Sequence, residues 1–167
     1  AHVATTGKYI NAITLADGTG SASNYQLPSL INANAPVTIN AATLTSTLTN
    51  TGVSKVYDGD TSAPSGFTPT YSFSGLASGD TTATLSNTGA LYNDKDVLDA
   101  NKVTVSGLSL SGISGSNSSA TTDYVLDATS KDVSAAITRK TVSLSASKTY
   151  DGSTSLTGAV TLATGIS

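Results

Sequence analysis

An all-β chain made of small repeated modules is the fold class these 167 residues predict, and three observations carry it. Helix-favouring composition is missing: there is no Glu, Lys and Arg total only 8, and Gly and β-branched residues interrupt nearly every window. Apolar residues alternate with Ser and Thr over short runs, the period of a half-buried strand. Long stretches also recur at a nearly constant spacing, which marks a repeat architecture.

The strand signals run the length of the chain. Thr43, Thr45 and Thr47 alternate as an ordinary outward β-surface, with a flat ice- or glycan-binding ladder as the alternative. Tyr71 and Phe73 share one face, as do Ala83 and Leu85, and then Val103 and Val105. Leu108 and Leu110 continue that last run after Gly107 but slip by one residue, which predicts a β-bulge at Ser106-Gly107. Val133, Ala135 and Ile137 alternate, and Val142 and Leu144 resume after a polar break. Between them, the polar stretch from Ser111 to Thr122 predicts a mobile loop inside an ordered chain.

The repetition is specific. Lys55-Val56-Tyr57-Asp58-Gly59-Asp60-Thr61-Ser62 matches Lys148-Thr149-Tyr150-Asp151-Gly152-Ser153-Thr154-Ser155 at a shift of 93 residues. Asn24-Tyr25-Gln26-Leu27 parallels Asp123-Tyr124-Val125-Leu126 at a shift of 99. Val37-Thr38-Ile39 through Thr43-Leu44 parallels Ala135-Ala136-Ile137 through Thr141-Val142 at 98. The organisation expected is the back part of one repeat over residues 1–45, a complete repeat over 46–140, and the opening of another over 141–167.

Tyr57-Asp58-Gly59 and Tyr150-Asp151-Gly152 are the candidate structural turns of this array. The Tyr ends a strand with its ring over the core and its hydroxyl at the rim. The Asp accepts hydrogen bonds from nearby backbone N–H groups, and the Gly supplies a positive φ. A sugar site is the alternative: the ring would stack on the sugar and the carboxylate would bond its hydroxyls.

These motifs resemble a known family. The Lys-x-Tyr-Asp-Gly opening, the segment Val103-Thr104-Val105-Ser106-Gly107-Leu108-Ser109-Leu110-Ser111-Gly112, the element Asp123-Tyr124-x-Leu126 and the junction Ile137-Thr138-x-Lys140-Thr141-Val142 resemble YDG repeats, which are related to MBG repeats. The resemblance implies tandem small β-sandwich or β-grasp-like modules forming an elongated stalk. It also implies very large secreted bacterial surface proteins, including filamentous-haemagglutinin-like adhesins, with roles in adhesion and biofilm formation. It brings no catalytic residues. Residues 7–15 replace the Val-Ser-Gly-Leu strand, and Asn40-Ala41-Ala42 replaces Thr-Arg-Lys at the junction, so the first repeat departs from the pattern.

Composition narrows the chemistry. Charged residues make up 11%, against about 25% in ordinary globular proteins. With no Cys and a single His, enzymes built on thiolates or His clusters are excluded, and the chain is expected to be a non-enzyme without cofactor or metal. A net charge of −3 argues against a nucleic-acid partner, and no apolar run approaches a membrane span. A Ser-His-Asp triad is disfavoured, because His2 is expected to sit at a frayed terminus. Asp94, Asp96 and Asp99 are close enough in sequence for Ca²⁺, with a solvated loop or short helical turn as the plainer reading. Lys55 or Lys148 in an internal isopeptide bond would need a buried acid beside it.

The expected function is therefore a structural spacer at the bacterial surface or outside the cell, with neighbouring repeats of the same protein as partners. The alternatives are a module binding polysaccharide or a host surface glycan, and a subunit self-associating into a head-to-tail, strand-exchanged fibre. Burial of Tyr57 and Tyr150 favours the spacer, whereas exposed tyrosines along one groove favour glycan binding.

Overall fold

The structure is a computed structural model, and it describes residues 2–155 together with the backbone of 160–163. Among the described residues, every regular element of more than one turn is a strand. In chain order these are β1 (Ala42–Leu48), β2 (Val53–Val56), β3 (Tyr71–Ser74), β4 (Asp80–Ser86), β5 (Gly89–Tyr92) and β6 (Lys102–Ser106). They continue with β7 (Ser109–Gly115), β8 (Tyr124–Leu126), β9 (Ser130–Thr138), β10 (Ser143–Ala146) and β11 (Val160–Ala163). Two three-residue 3-10 turns, Ala22–Asn24 and Thr121–Asp123, are the only helical pieces among the described residues. An all-β chain is thus established, for the reason its composition implies: β-branched Thr and Val suit a pleated surface and resist the helix.

The chain forms two compact units that are interleaved in sequence. One comprises Ala1–Ser46, Phe73–Ser86 and Leu108–Thr129; the other comprises Thr47–Ser72, Asn87–Gly107 and Ser130–Ser167.

In the first unit, β1 pairs with β8 in parallel, with Ala42 opposite Tyr124 and Leu44 opposite Leu126. β4 and β7 form an antiparallel pair whose register shifts between Asp80 and Thr82 and again between Thr84 and Leu85. Leu44, Ala83 and Tyr124 make the buried core, flanked by Phe73, Leu76, Leu110, Ile113 and Leu126. Along β1, Leu44 and Ser46 point inward while Thr43, Thr45 and Thr47 stay exposed. Ser46 is buried; its N–H donates to Asp127 Oδ1 at 3.2 Å, but its hydroxyl finds no partner.

The second unit holds a four-stranded sheet in the order β2-β9-β6-β5. β2 lies parallel to β9, with Val53 opposite Ala135, while β5, β6 and β9 run antiparallel. Val53, Tyr92, Ala100, Val103 and Ile137 form its core, packed by Tyr57, Phe67, Val97 and Val133. β10 and β11 form a separate antiparallel pair, Ser143 opposite Ala163.

Two expectations are corrected. The slip at Ser106-Gly107 is not a bulge within one strand: β6 ends at Ser106, β7 begins at Ser109, and the two belong to different sheets. Gly107 makes the break with φ +64, and a Cβ there would lie 2.3 Å from Thr88 Oγ1, so only glycine fits. The bulges sit instead in the β4–β7 pair. The loop expected from Ser111 to Thr122 is in part regular structure, since β7 runs on to Gly115 and the 3-10 turn begins at Thr121. Cross-strand pairing of Ile113 with Ala83 overrides the polar composition there.

Leu44 is fully buried and Thr45 beside it is exposed. Chemical denaturation is expected to find L44A destabilised by about 2–5 kcal/mol. T45A should remain within about 0.5 kcal/mol of the parent.

Candidate functional site

The two Tyr-Asp-Gly segments fold into the same small clasp. In the first, β2 delivers Lys55 and ends at Val56, and the Tyr57 N–H bonds the Thr138 carbonyl at 2.8 Å. Gly59 then turns the chain with φ +90. That turn brings Asp58 Oδ1 and Asp60 Oδ1 each to 2.7 Å from Lys55 Nζ, with the Asp60 carbonyl at 3.0 Å. The Asp60 N–H donates back to Asp58 Oδ1 at 3.2 Å, and the Ser62 N–H to Asp60 Oδ1 at 2.8 Å.

Lys148 repeats the geometry. Its Nζ lies 2.7 Å from Asp151 Oδ1 and donates to the carbonyls of Ser153 and Ser155 at 2.9 and 2.8 Å. Gly152 has φ +75, and the Ser153 N–H donates to Asp151 Oδ1 at 2.9 Å. Ser153 stands where the first clasp has Asp60, and its Oγ accepts the Ser155 N–H at 3.0 Å. A hydroxyl thereby replaces a carboxylate without changing the turn.

The surroundings of the two clasps differ. The Lys55 side chain is only 8% exposed, with its ammonium 5.5 Å above the centre of the Tyr92 ring, a cation–π arrangement. Tyr57 is half-buried against the core of the second unit, whereas Tyr150 is 93% exposed. The two tyrosines therefore do not share one environment. Burial alone would lower the Lys55 pKa, but the hydrogen bonds to Asp58 and Asp60 outweigh it and the net direction is upward. The same bonds hold both carboxyls below the usual carboxylate range. Asp58 and Asp60 are 49% and 60% exposed, so the buried acid that an isopeptide bond requires is not beside Lys55.

The three carboxylates of Asp94, Asp96 and Asp99 do come within 4.8 Å of one another. They lie at and just before a hydrogen-bonded turn, in which the N–H groups of Asp99 and Ala100 bond the Asp96 carbonyl. Asn93 ties that turn down: its Oδ1 accepts from the N–H groups of Asn101 and Lys102, and its Nδ2 donates to the Asp99 carbonyl. The Lys95 ammonium sits 3.1 Å from Asp96, which offsets the negative charge a cation would need.

A feature absent from the motif reading lies in the first unit. His2, Asn40, Asn117, Ser119, Asp123 and Tyr124 border a cavity of about 340 Å³. His2 is not frayed: its Nδ1 lies 2.6 Å from Asp123 Oδ2, and the Val3 N–H donates to Asp123 Oδ1 at 2.7 Å. These bonds, with one from the Ala120 N–H, depress the Asp123 pKa to about 2. Tyr124 is saturated, donating to Asp80 Oδ2 at 2.5 Å and accepting from the Ala77 N–H at 2.9 Å. No local pattern announces this arrangement, because the His2–Asp123 contact spans 121 positions.

An all-β chain punctuated by Lys-x-Tyr-Asp-Gly clasps is the class of protein that these features define. A YDG domain is matched over residues 38–131, more than half of the chain, and the protein belongs to that family. No curated protein and no solved structure matches it.

Asp123 has a folded pKa below its unfolded value, so its bonds stabilise the folded state above about pH 4 and are lost as pH falls toward about 2. A carboxyl NMR titration should give Asp123 a midpoint near 2, with the Val3 amide resonance following it. For the clasp, K55M is expected to melt below the parent in neutral buffer. Thermal scans should find that gap closing in acid, as Asp58 and Asp60 protonate below their ordinary range.

Proposed function

We propose that this chain is a structural spacer segment of a bacterial cell-surface adhesin, in which YDG modules follow one another outside the cell and support adhesion or biofilm formation. The observation that carries the reading is the clasp itself. Its lysine, its first aspartate and its turn amides bond one another in both copies. Polar groups engaged in this way fasten a turn and offer little to a ligand. The sequence match between the two copies supports successive modules, and family membership supports an extracellular repeat protein. The low charge density of the surface suits a spacer that avoids nonspecific electrostatic partners. Such a segment performs no reaction and needs no cofactor.

A second reading, recognition of polysaccharide, is favoured by the cavity beside His2, where Asn40, Ser119 and the outer nitrogen of His2 are hydrogen-bonding groups of the kind that meet sugar hydroxyls. Two measurements separate the readings. Small-angle scattering of a fusion of two copies should give a maximum dimension that grows by a module length, and collapse to a compact particle would overturn the spacer. Calorimetric titration with soluble bacterial and host polysaccharides should be flat. Saturable heats abolished by N40A would replace the spacer with a glycan-binding module.

A further inference from the structure

Where the chain enters and leaves a strand pair decides how that pair meets a pull along the backbone. In the antiparallel pairs, entry and exit lie at the same end: Gly89 faces Ser106 at the mouth of β5–β6, and Asp80 faces Gly115 at the mouth of β4–β7. Tension on such a pair loads its outermost bonds first and then the next, so the strands peel apart in sequence. The parallel pairs differ. β2 begins at Val53 beside Ala135, and β9 ends at Thr138 beside Val56. The chain thus enters at one end of the pair and leaves at the other. A pull drags the two strands past each other along their common axis, and all the bonds between them bear the load together.

Three further features brace this pair. The Tyr57 N–H bonds the Thr138 carbonyl at 2.8 Å, and Thr138 Oγ1 donates to the Lys55 carbonyl at 3.2 Å, so the last residue of β9 is held twice at the far end of β2. Val53 and Ile137, one from each strand, are both buried in the core of the second unit, and sliding would drag them through close packing. The Lys55 clasp lies at the end of β2. Its bonds to Asp58 and Asp60 close residues 55–60 into a loop, while the ammonium sits over the Tyr92 ring. β2 can be drawn toward its N-terminus only after that loop opens, because a closed turn cannot follow an extended strand alongside β9.

We propose that β2 and β9 form a shear clamp that makes the module resist tension along the chain, with the Lys55 clasp as its stop. This rests on the spacer reading and deepens it, since a tether between a surface and a bound target transmits pull. The pairs that would peel, β4–β7 and β5–β6, lie between the clamped strands and are sheltered while the clamp holds.

The first unit carries the same geometry independently. β1 begins at Ala42 beside Tyr124, and β8 ends at Leu126 beside Leu44. Asp127 extends that pair: its N–H donates to the Leu44 carbonyl at 3.0 Å, and its Oδ1 accepts the Ser46 N–H at 3.2 Å. Leu44 and Tyr124, one from each strand, are buried in the core of that unit. A pull along the chain therefore shears both parallel pairs in the same sense.

The chain has no cysteine, so handles for optical tweezers attached at engineered cysteines choose the direction of pull. Thr51, Ser134 and Arg139 are all exposed. T51C with R139C pulls the start of β2 against the end of β9, in shear. T51C with S134C pulls on the same two strands from adjacent ends and peels them apart. The shear variant should rupture at a several-fold higher force, although both unfold at the same denaturant midpoint, because forced unfolding reports the loaded barrier and not the equilibrium. Adding K55M should lower the shear force by a larger factor than the peeling force. Equal forces in the two directions would overturn the clamp, and a K55M loss no greater in shear than in peeling would overturn its stop. Equal forces beside a two-copy fusion that still lengthens by one module would overturn the clamp while leaving the spacer reading in place.

Discussion

Two parallel strand pairs hold this structure; one closes within the YDG region and the other joins the front of that region to residues just past its end. β1 lies beside β8 in one unit, and β2 lies beside β9 in the other, with the same sequence offset in each pair. A parallel pair cannot be closed by a tight turn, so everything between the partners must form a long crossover. Here the crossover contains the antiparallel pairs β4–β7 and β5–β6 and part of each core, the rest of which lies on the parallel strands themselves. Neither core can be completed until the chain has returned. Such non-local pairing makes folding slow and puts the entropic cost of loop closure ahead of the contacts that repay it.

The Lys55 clasp works within that constraint. A lysine with an 8% exposed side chain loses most of its hydration, and two carboxylates, a carbonyl and an aromatic face replace what water supplied. The carboxylates remain half in solvent, which keeps their own desolvation modest. The second clasp keeps the lysine, the first aspartate and the glycine but exchanges Asp60 for Ser153. Lysine hydration and turn geometry are therefore separable: the turn needs an acceptor two residues after the first aspartate, and a hydroxyl suffices.

Polar side chains reaching across the chain set the ends of the strands in both units. Asp127 holds β1 beside β8, Asn93 closes the acidic turn ahead of β6, and Asp123 anchors the segment at His2 and Val3. In a composition this poor in charge, each carboxylate or amide that finds backbone partners has a large local effect. The hydroxyl of Ser46, buried without a partner, is the counterexample and a cost the first unit carries.

Much of this was legible in the sequence, because period-two alternation is a property of neighbours. Val103 and Val105, Tyr71 and Phe73, and Val133, Ala135 and Ile137 turn inward together as that alternation predicts. The positive φ at Gly59 and Gly152 and the aspartate-to-amide bonds of the clasps are equally local. Partnership across the chain was not legible. Gly107 reads as a bulge in one strand because sequence carries no information about which sheet the next strand joins. The His2–Asp123 contact and Tyr92 beneath Lys55 depend on parallel strands returning over long crossovers. The sequence by itself determined the all-β class, the family motifs and the turn chemistry, all set by dihedral preference and spacing. Only the tertiary structure decided strand partners, the interleaving of the two units and which of two matching tyrosines is buried, because those depend on distances that local preference does not encode.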